Sequence, residues 1–225
     1  MNRAVFEQCT AKLRAALGDP AVLHQISPLN WCDSPLEILL ATVLTQATND
    51  NNALKAWRNF KARFPRPELA LAAPEAEVAE VIRPAGLTAQ RTAAIRRILE
   101  QVRERFGRYS LDDLADDPQA AWQFLNGLPG VGPKTAACVL LFGLKQPFFP
   151  VDTHIHRIAG RLGWVPAKAD AAKMQQLLTE MIPAEIQAEL HILLLNLGRR
   201  YCRPQRPACP ECPLRAECPA AASFT

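Results

Sequence analysis

Residues 126–135 read Asn126-Gly127-Leu128-Pro129-Gly130-Val131-Gly132-Pro133-Lys134-Thr135. Apolar residues at helical spacing flank this stretch and predict helices over Asp117–Leu125 and Lys134–Phe142. The glycines between them permit positive φ and close approach of another backbone. Bare N–H groups open the second helix and make an anion site suited to one nucleic-acid phosphate. A plain helix-to-helix turn can also carry Gly-x-Gly. Leu128-Pro129-Gly130-Val131-Gly132, with Lys134 and Thr135 close behind, favours the phosphate site. Lys134 falls in the first turn, where the helix dipole and partial burial both disfavour an ammonium. A lysine free to deprotonate can attack an electrophilic carbon and form a Schiff base. It can equally pair with phosphate as a point charge, and the residues alone leave both roles open.

Working outward, helical spacing recurs nearly everywhere. Val5, Phe6, Cys9, Leu13, Ala16 and Leu17 form a stripe ended by Gly18-Asp19-Pro20. Ser34-Pro35 gives a capping hydroxyl and a first-turn proline to a helix through Leu36, Leu39, Leu40, Val43 and Leu44, apolar enough to be buried. Further helices are predicted over Ala53–Phe64, Glu75–Arg83, Ala89–Phe106, Thr153–Leu162, Ala169–Met181 and Ile186–Leu197. Alternating strand patterns are absent, and the 19 prolines fall mostly between these segments. The fold class is all-α.

The 225 residues are 49% hydrophobic and 21% charged, as in an ordinary soluble protein. No run reaches the roughly 18 apolar residues of a membrane span. Charges interrupt the N-terminal stretch, so no secretory signal is expected and a cytoplasmic, nucleoid-associated protein is. The net charge of +4 is too mild to identify a partner by itself. Arg199, Arg200, Arg203, Arg206 and Arg215 crowd one end, and Arg83, Arg91, Arg96 and Arg97 the middle. Such runs usually read as solvated helix faces.

The seven cysteines are uneven: Cys9, Cys32 and Cys138 stand alone in apolar settings and read as small core residues. Cys202, Cys209, Cys212 and Cys218 are spaced C-x6-C-x2-C-x5-C. In a reducing compartment that group reads as metal ligation rather than disulfides. Zinc or a 4Fe-4S cluster would each accept four thiolates. Asp152, in Val151-Asp152-Thr153-His154, precedes a helix and is placed to cap it.

Together these motifs resemble the endonuclease III family of DNA glycosylases, over about Ser34 to Cys218. The hairpin matches the family's helix-hairpin-helix, and Gly130-Val131-Gly132-Pro133-Lys134-Thr135 matches its Gly-Val-Gly-x-Lys-Thr motif, which makes Lys134 the implied catalytic nucleophile. Asp152 of Val-Asp-Thr-His is then the second catalytic residue, stabilising positive charge and helping to deprotonate the lysine. The complete cysteine spacing implies a 4Fe-4S cluster, structural first, with Arg203 and Arg206 facing the phosphate backbone. Thr42-Val43-Leu44-Thr45-Gln46-Ala47-Thr48 resembles the segment whose glutamine, here Gln46, fills the hole left by an extruded nucleotide. Arg83-Pro84-Ala85-Gly86-Leu87-Thr88 resembles the loop whose apolar residue, here Leu87, wedges into the stack. Leu128, Gly130, Val131, Gly132, Thr135 and His154 complete the expected DNA contacts.

The resemblance implies two domains: residues 26–146, and residues 1–25 with 147–225 holding the cluster. Lys134 and Asp152 would face each other across the cleft between them. The implied function is base excision of oxidised pyrimidines from double-stranded DNA, then β-elimination at the abasic site, by a monomer with no membrane partner. Two departures bear on rate and substrate range: Asn49 stands where the family has aspartate, and Pro133 replaces a basic residue. The alternatives are a non-catalytic or redox DNA-binding helix-hairpin-helix protein and a monofunctional glycosylase. The adenine-specific mismatch glycosylase shares the fold and cluster but usually lacks the lysine and carries an extra C-terminal domain.

Overall fold

The computed structural model describes residues 2–25, 27–166 and 168–224. The boundary expected at Ile26 and the chain ends Met1 and Thr225 lie outside the described residues. Helices follow one another in the order α1 (Arg3–Leu17), α2 (Pro20–Leu23), α3 (Pro35–Thr45), α4 (Asp50–Arg63), α5 (Pro67–Ala72) and α6 (Glu75–Val81). Then come α7 (Thr88–Phe106), α8 (Pro118–Gly127), α9 (Pro133–Cys138), α10 (Thr153–Arg161), α11 (Ala171–Met181) and α12 (Ala184–Arg200). No strand occurs among the described residues, and no helix is long and apolar enough to cross a membrane. The fold is all-α. The chain divides into two compact units: Gln25–Gln146, and Met1–His24 joined with Pro147–Thr225.

In the Gln25–Gln146 unit, α3 is the buried centre. Every residue from Ile38 to Leu44 is buried, as is Leu36. The Ser34 hydroxyl accepts from the Glu37 amide, and Pro35 opens the first turn. Around α3 pack α4, α7, α9 and the turn after α9. That turn, Val139–Gly143, is π-helical, where the sequence predicts an α-helix to Phe142. A Cβ on Gly143 would meet Pro35 Cα at 3.0 Å, so the bulged turn seats against the start of α3 because it ends in glycine.

Several helix bounds also differ from expectation. Helix α4 begins at Asp50 rather than Ala53, because Asn49 caps it by accepting from the Asn52 amide. The expected Glu75–Arg83 helix stops at Val81, and Arg83–Ala85 tightens into a 3-10 turn at Pro84. Helix α5 has no counterpart in the sequence prediction; Pro67 sits at its first turn, where proline's missing N–H costs nothing.

In the other unit, α1, α10, α11 and α12 enclose one core. Phe6, Leu13, Phe149, Ile155, Leu178, Leu190 and Leu194 are all fully buried there. Cys9 joins them, and its burial pushes the thiol up to about 11. Cys138 is buried in the first unit as expected, while Cys32 is half-buried.

Candidate catalytic and nucleic-acid-binding site

The hairpin starts where α8 ends. The Leu128 amide bonds to Leu125 O, and the Val131 amide to Leu128 O at 3.1 Å. Gly130 has φ +75°, and a Cβ there would crowd Ala94 Cβ at 3.2 Å, so glycine is required twice over. Gly132 is the N-cap of α9 and has no side chain to offer its first amides; Pro133 occupies the first position. Lys134 follows in that first turn, half-buried.

The side chains of Leu128, Val131 and Thr135 are buried at 3%, 6% and 4% exposure. Leu128 and Val131 therefore build the turn from inside, and only their backbone can meet a ligand. Gly130 and Gly132 are exposed.

Gln46 ends α3 and lies beside this turn. Its Nε2 donates to Gly130 O at 2.9 Å and approaches Thr135 Oγ1 at 3.3 Å. Ala47, next in the chain, is left-handed with φ 48°. Leu87 is also left-handed, with φ 48° and ψ 39°, and precedes α7 with its side chain 55% exposed. Between the two lies Arg91, only 3% exposed. Its guanidinium donates to the carbonyls of Ala85, Gly86 and Gln46. Burial lowers its pKa. The structure thus corrects the reading of Arg91 as part of a solvated face: its aliphatic stem lies on the buried side of α7, and its head finds three carbonyls there.

In the second unit, Asp152 is the N-cap of α10, and its Oδ1 accepts from the Ile155 amide at 2.8 Å. His154 is half-buried in the first turn. Arg157 Nη2 donates to His154 Nδ1 at 3.1 Å, which leaves that ring's proton on Nε2. A Cβ on Gly198 would lie 2.6 Å from His154 Nδ1, so α12 can pass the imidazole only as glycine.

Arg157 Nε also donates to Cys202 O at 2.9 Å. One side chain therefore joins the Asp152 helix to the start of the cysteine loop. That loop is a chain of turns, with Ala208 N bonded to Tyr201 O and Cys212 N to Cys209 O. All four cysteines line one pocket, together with Arg161, Tyr201, Arg215 and Phe224. Arg161 Nη1 donates to Cys202 Sγ at 3.3 Å, and its head lies over the Phe224 ring. Burial raises the pKa of the Cys212 and Cys218 thiols, and the neighbouring cysteines raise both further. Among the described residues, no three His, Cys, Asp or Glu side chains form a group able to hold a single metal ion. Arg203 and Arg206 are exposed on the Cys202–Cys209 segment, Arg206 with φ 49°.

Arg91, Arg157 and Arg161 escape a sequence reading. Each lies in a helix at a position where charge ordinarily means solvent, and each has at least one acceptor more than 40 residues away in sequence.

Comparison with known proteins gives a consistent picture. Residues 40–184 match the HhH-GPD superfamily of base excision DNA repair proteins. Endonuclease III of Thermotoga maritima is 36% identical over 185 residues, 82% of this chain and 82% of that protein. Endonuclease III of Bacillus subtilis is 29% identical over 185 residues, 82% of this chain and 81% of that one. Among solved structures, a trapped endonuclease III–DNA covalent intermediate superposes with a TM-score of 0.81 at 25% identity, covering 99% of this chain and 98% of its own.

Proposed function

The chain belongs to the HhH-GPD superfamily of base excision DNA repair proteins, and from that premise we propose how its residues divide the work of a DNA glycosylase and abasic-site lyase. The substrate is duplex DNA carrying an oxidised pyrimidine. The observation that carries this reading is Lys134, half-buried in the first turn of α9 directly behind the glycine-capped hairpin. An amine in the first turn behind that hairpin is the nucleophile the reading requires.

In the proposed reaction the Lys134 amine attacks the sugar C1′. The C1′–N bond to the damaged base breaks, and the base leaves with the electron pair and takes up a proton. The C1′–O4′ bond then opens, O4′ leaving with the electron pair and taking up the proton that the attacking amine gives up, to give an imine between lysine and sugar. Loss of a C2′ proton and departure of the 3′ phosphate with the C3′–O pair complete β-elimination. Water releases the lysine. Asp152 supplies negative charge as C1′ becomes positive; its Oδ1 is committed to the α10 cap, so Oδ2 serves the sugar. The exposed amide edge at Gly130 and Gly132 holds a phosphate. His154 Nε2–H offers a further donor.

The four cysteines suit a 4Fe-4S cluster. Cys202, Cys209, Cys212 and Cys218, which line one pocket, would hold the cluster through their thiolates. The bound cluster would supply a structural crosslink, fixing the loop that carries Arg203 and Arg206.

Borohydride trapping on abasic DNA tests this reading. Wild-type protein should form a covalent adduct, and Lys134→Ala should lose both adduct and strand cleavage while keeping its fold and most DNA affinity. Undiminished trapping by Lys134→Ala would falsify the nucleophile assignment.

A further inference from the structure

We propose that Arg91 is a positioning residue that sets Gln46 and Leu87 as a pair for insertion into the duplex. The proposal rests on the reading that these two side chains enter the base stack around an extruded nucleotide.

Two peptide carbonyls decide the matter. Gly86 O immediately precedes Leu87, and Gln46 O immediately precedes Ala47. Arg91 donates to both, and to Ala85 O as well. The residue following each carbonyl is a left-handed non-glycine with φ 48°. Such a conformation persists only where the surroundings hold it. A guanidinium presents its donors in a rigid planar fork, so it fixes the two peptide planes relative to one another and not merely each in place. The fork thereby sets the direction in which the chain leaves each turn.

The consequence reaches both proposed inserting groups. Leu87 stands 55% exposed, an apolar side chain held out on a strained turn. Gln46 is exposed too, and its amide is tied to Gly130 O in the hairpin. Arg91 therefore links the leucine turn to the glutamine turn, and Gln46 links both to the phosphate-binding hairpin. Extruding a nucleotide from a duplex requires something to occupy the vacated stack from a fixed frame. This network is such a frame.

Packing alone does not account for a cation here. Burying a guanidinium is costly, and its acceptors are all neutral carbonyls. Its Nε is buried without any hydrogen-bond partner. A methionine or leucine would fill the same volume without those costs. What an apolar residue cannot do is hold two turns at a fixed mutual angle.

The test compares an abasic site in duplex with the same site in a single strand, for which no stack need be filled. Arg91→Lys keeps the cation but loses the fork, and Arg91→Gln loses the charge. Both are checked by circular dichroism. Either folded variant should lose about 10- to 100-fold on the duplex, the scale of a small misplacement, and far less on the single strand. A 2-aminopurine opposite the abasic site should show correspondingly less unstacking. Added to the Gln46→Ala, Leu87→Ala double variant, Arg91→Gln should lower the duplex-to-single-strand ratio little further, because its targets are already gone. Equal losses on both substrates, no loss on either, or failure of both variants to fold would overturn the proposal. If Gln46→Ala and Leu87→Ala themselves show no duplex-specific loss, the insertion reading fails first. If they do and Arg91→Lys and Arg91→Gln do not, only the positioning role fails.

Discussion

The hairpin and the cysteine loop carry motifs of equal sharpness, yet they are held by different physics. The hairpin is built on a core: Leu125, Leu128, Val131, Thr135, Ala136 and Ala137 are all at most 6% exposed. Its shape follows from apolar burial and from backbone bonds that need no ligand. The stretch from Tyr201 to Cys218 is a succession of turns whose backbone hydrogen bonds are sequence-local, tied to α10 through the side chains of Arg157 and Arg161. Leu214, 1% exposed, is its deeply buried aliphatic anchor, and Cys202, Cys212 and Cys218 only lean on the neighbouring core. A region folded by its core keeps its geometry alone. A region made of turns needs a crosslink, and four thiols around one pocket are where the crosslink would go.

Cutting the proposed crosslink should have the largest effect. Metal binding to a structural site is itself folding free energy, on the order of 10 kcal/mol in zinc-finger peptides. Cys212→Ser should yield protein without the brown colour and iron content expected of the wild type. It should unfold at a markedly lower temperature, while a Gln25–Gln146 reporter such as Trp57 fluorescence changes little near the folded baseline. Colourless wild-type protein with stoichiometric zinc would replace the cluster with a single ion. A Cys212→Ser protein as stable as wild type would show that the turns suffice.

Breaking the core-built region comes next. Leu39 is fully buried at the centre of α3, and Leu39→Ala removes apolar contacts and leaves a cavity at a cost of about 2–5 kcal/mol. Urea unfolding followed by circular dichroism measures it. If the comparison is right, folded Leu39→Ala protein keeps its iron and visible absorbance while its midpoint falls. Loss of iron at denaturant concentrations that leave the helices intact would mean the two regions are not separately held.

This contrast also explains what the sequence revealed. Helical spacing made the all-α class legible, and Ser34, Pro35 and Asp152 act at helix starts as their residue types suggest. The four cysteines line one pocket, as their close spacing suggests. Three features were not legible. Helix α5 hides among Pro65, Arg66 and Pro67, where prolines read as breaks although one of them starts a helix. The run Asn49-Asp50-Asn51-Asn52 looks like a loop, while its first residue caps α4. Arg91 sits in an arginine-rich stretch, and its three carbonyls belong to turns whose spatial neighbourhood no local pattern encodes. Spacing along the chain shows what a residue type can do; long-range burial decides whether it does so.

The smallest expected effect concerns the loop's outer surface. Arg203 and Arg206 are exposed, and among the described residues no ion pair includes either. Replacing both with alanine should leave stability nearly unchanged, since exposed substitutions usually fall within about 0.5 kcal/mol. If each meets one phosphate, the double variant should lower the slope of log affinity against log salt by about 2 and weaken binding to all duplexes alike, damaged or not. Fluorescence anisotropy with one labelled duplex across a salt series reads both quantities. An unchanged slope would place the arginines off the DNA and leave the crosslinked loop without a proposed contact to present. A sequence-dependent loss would point to base contacts, which the exposed position of these side chains on a turn does not anticipate. The predicted result, a uniform loss with a shallower slope, would mean that the metal centre organises the loop for electrostatics while the core-built hairpin keeps the chemistry.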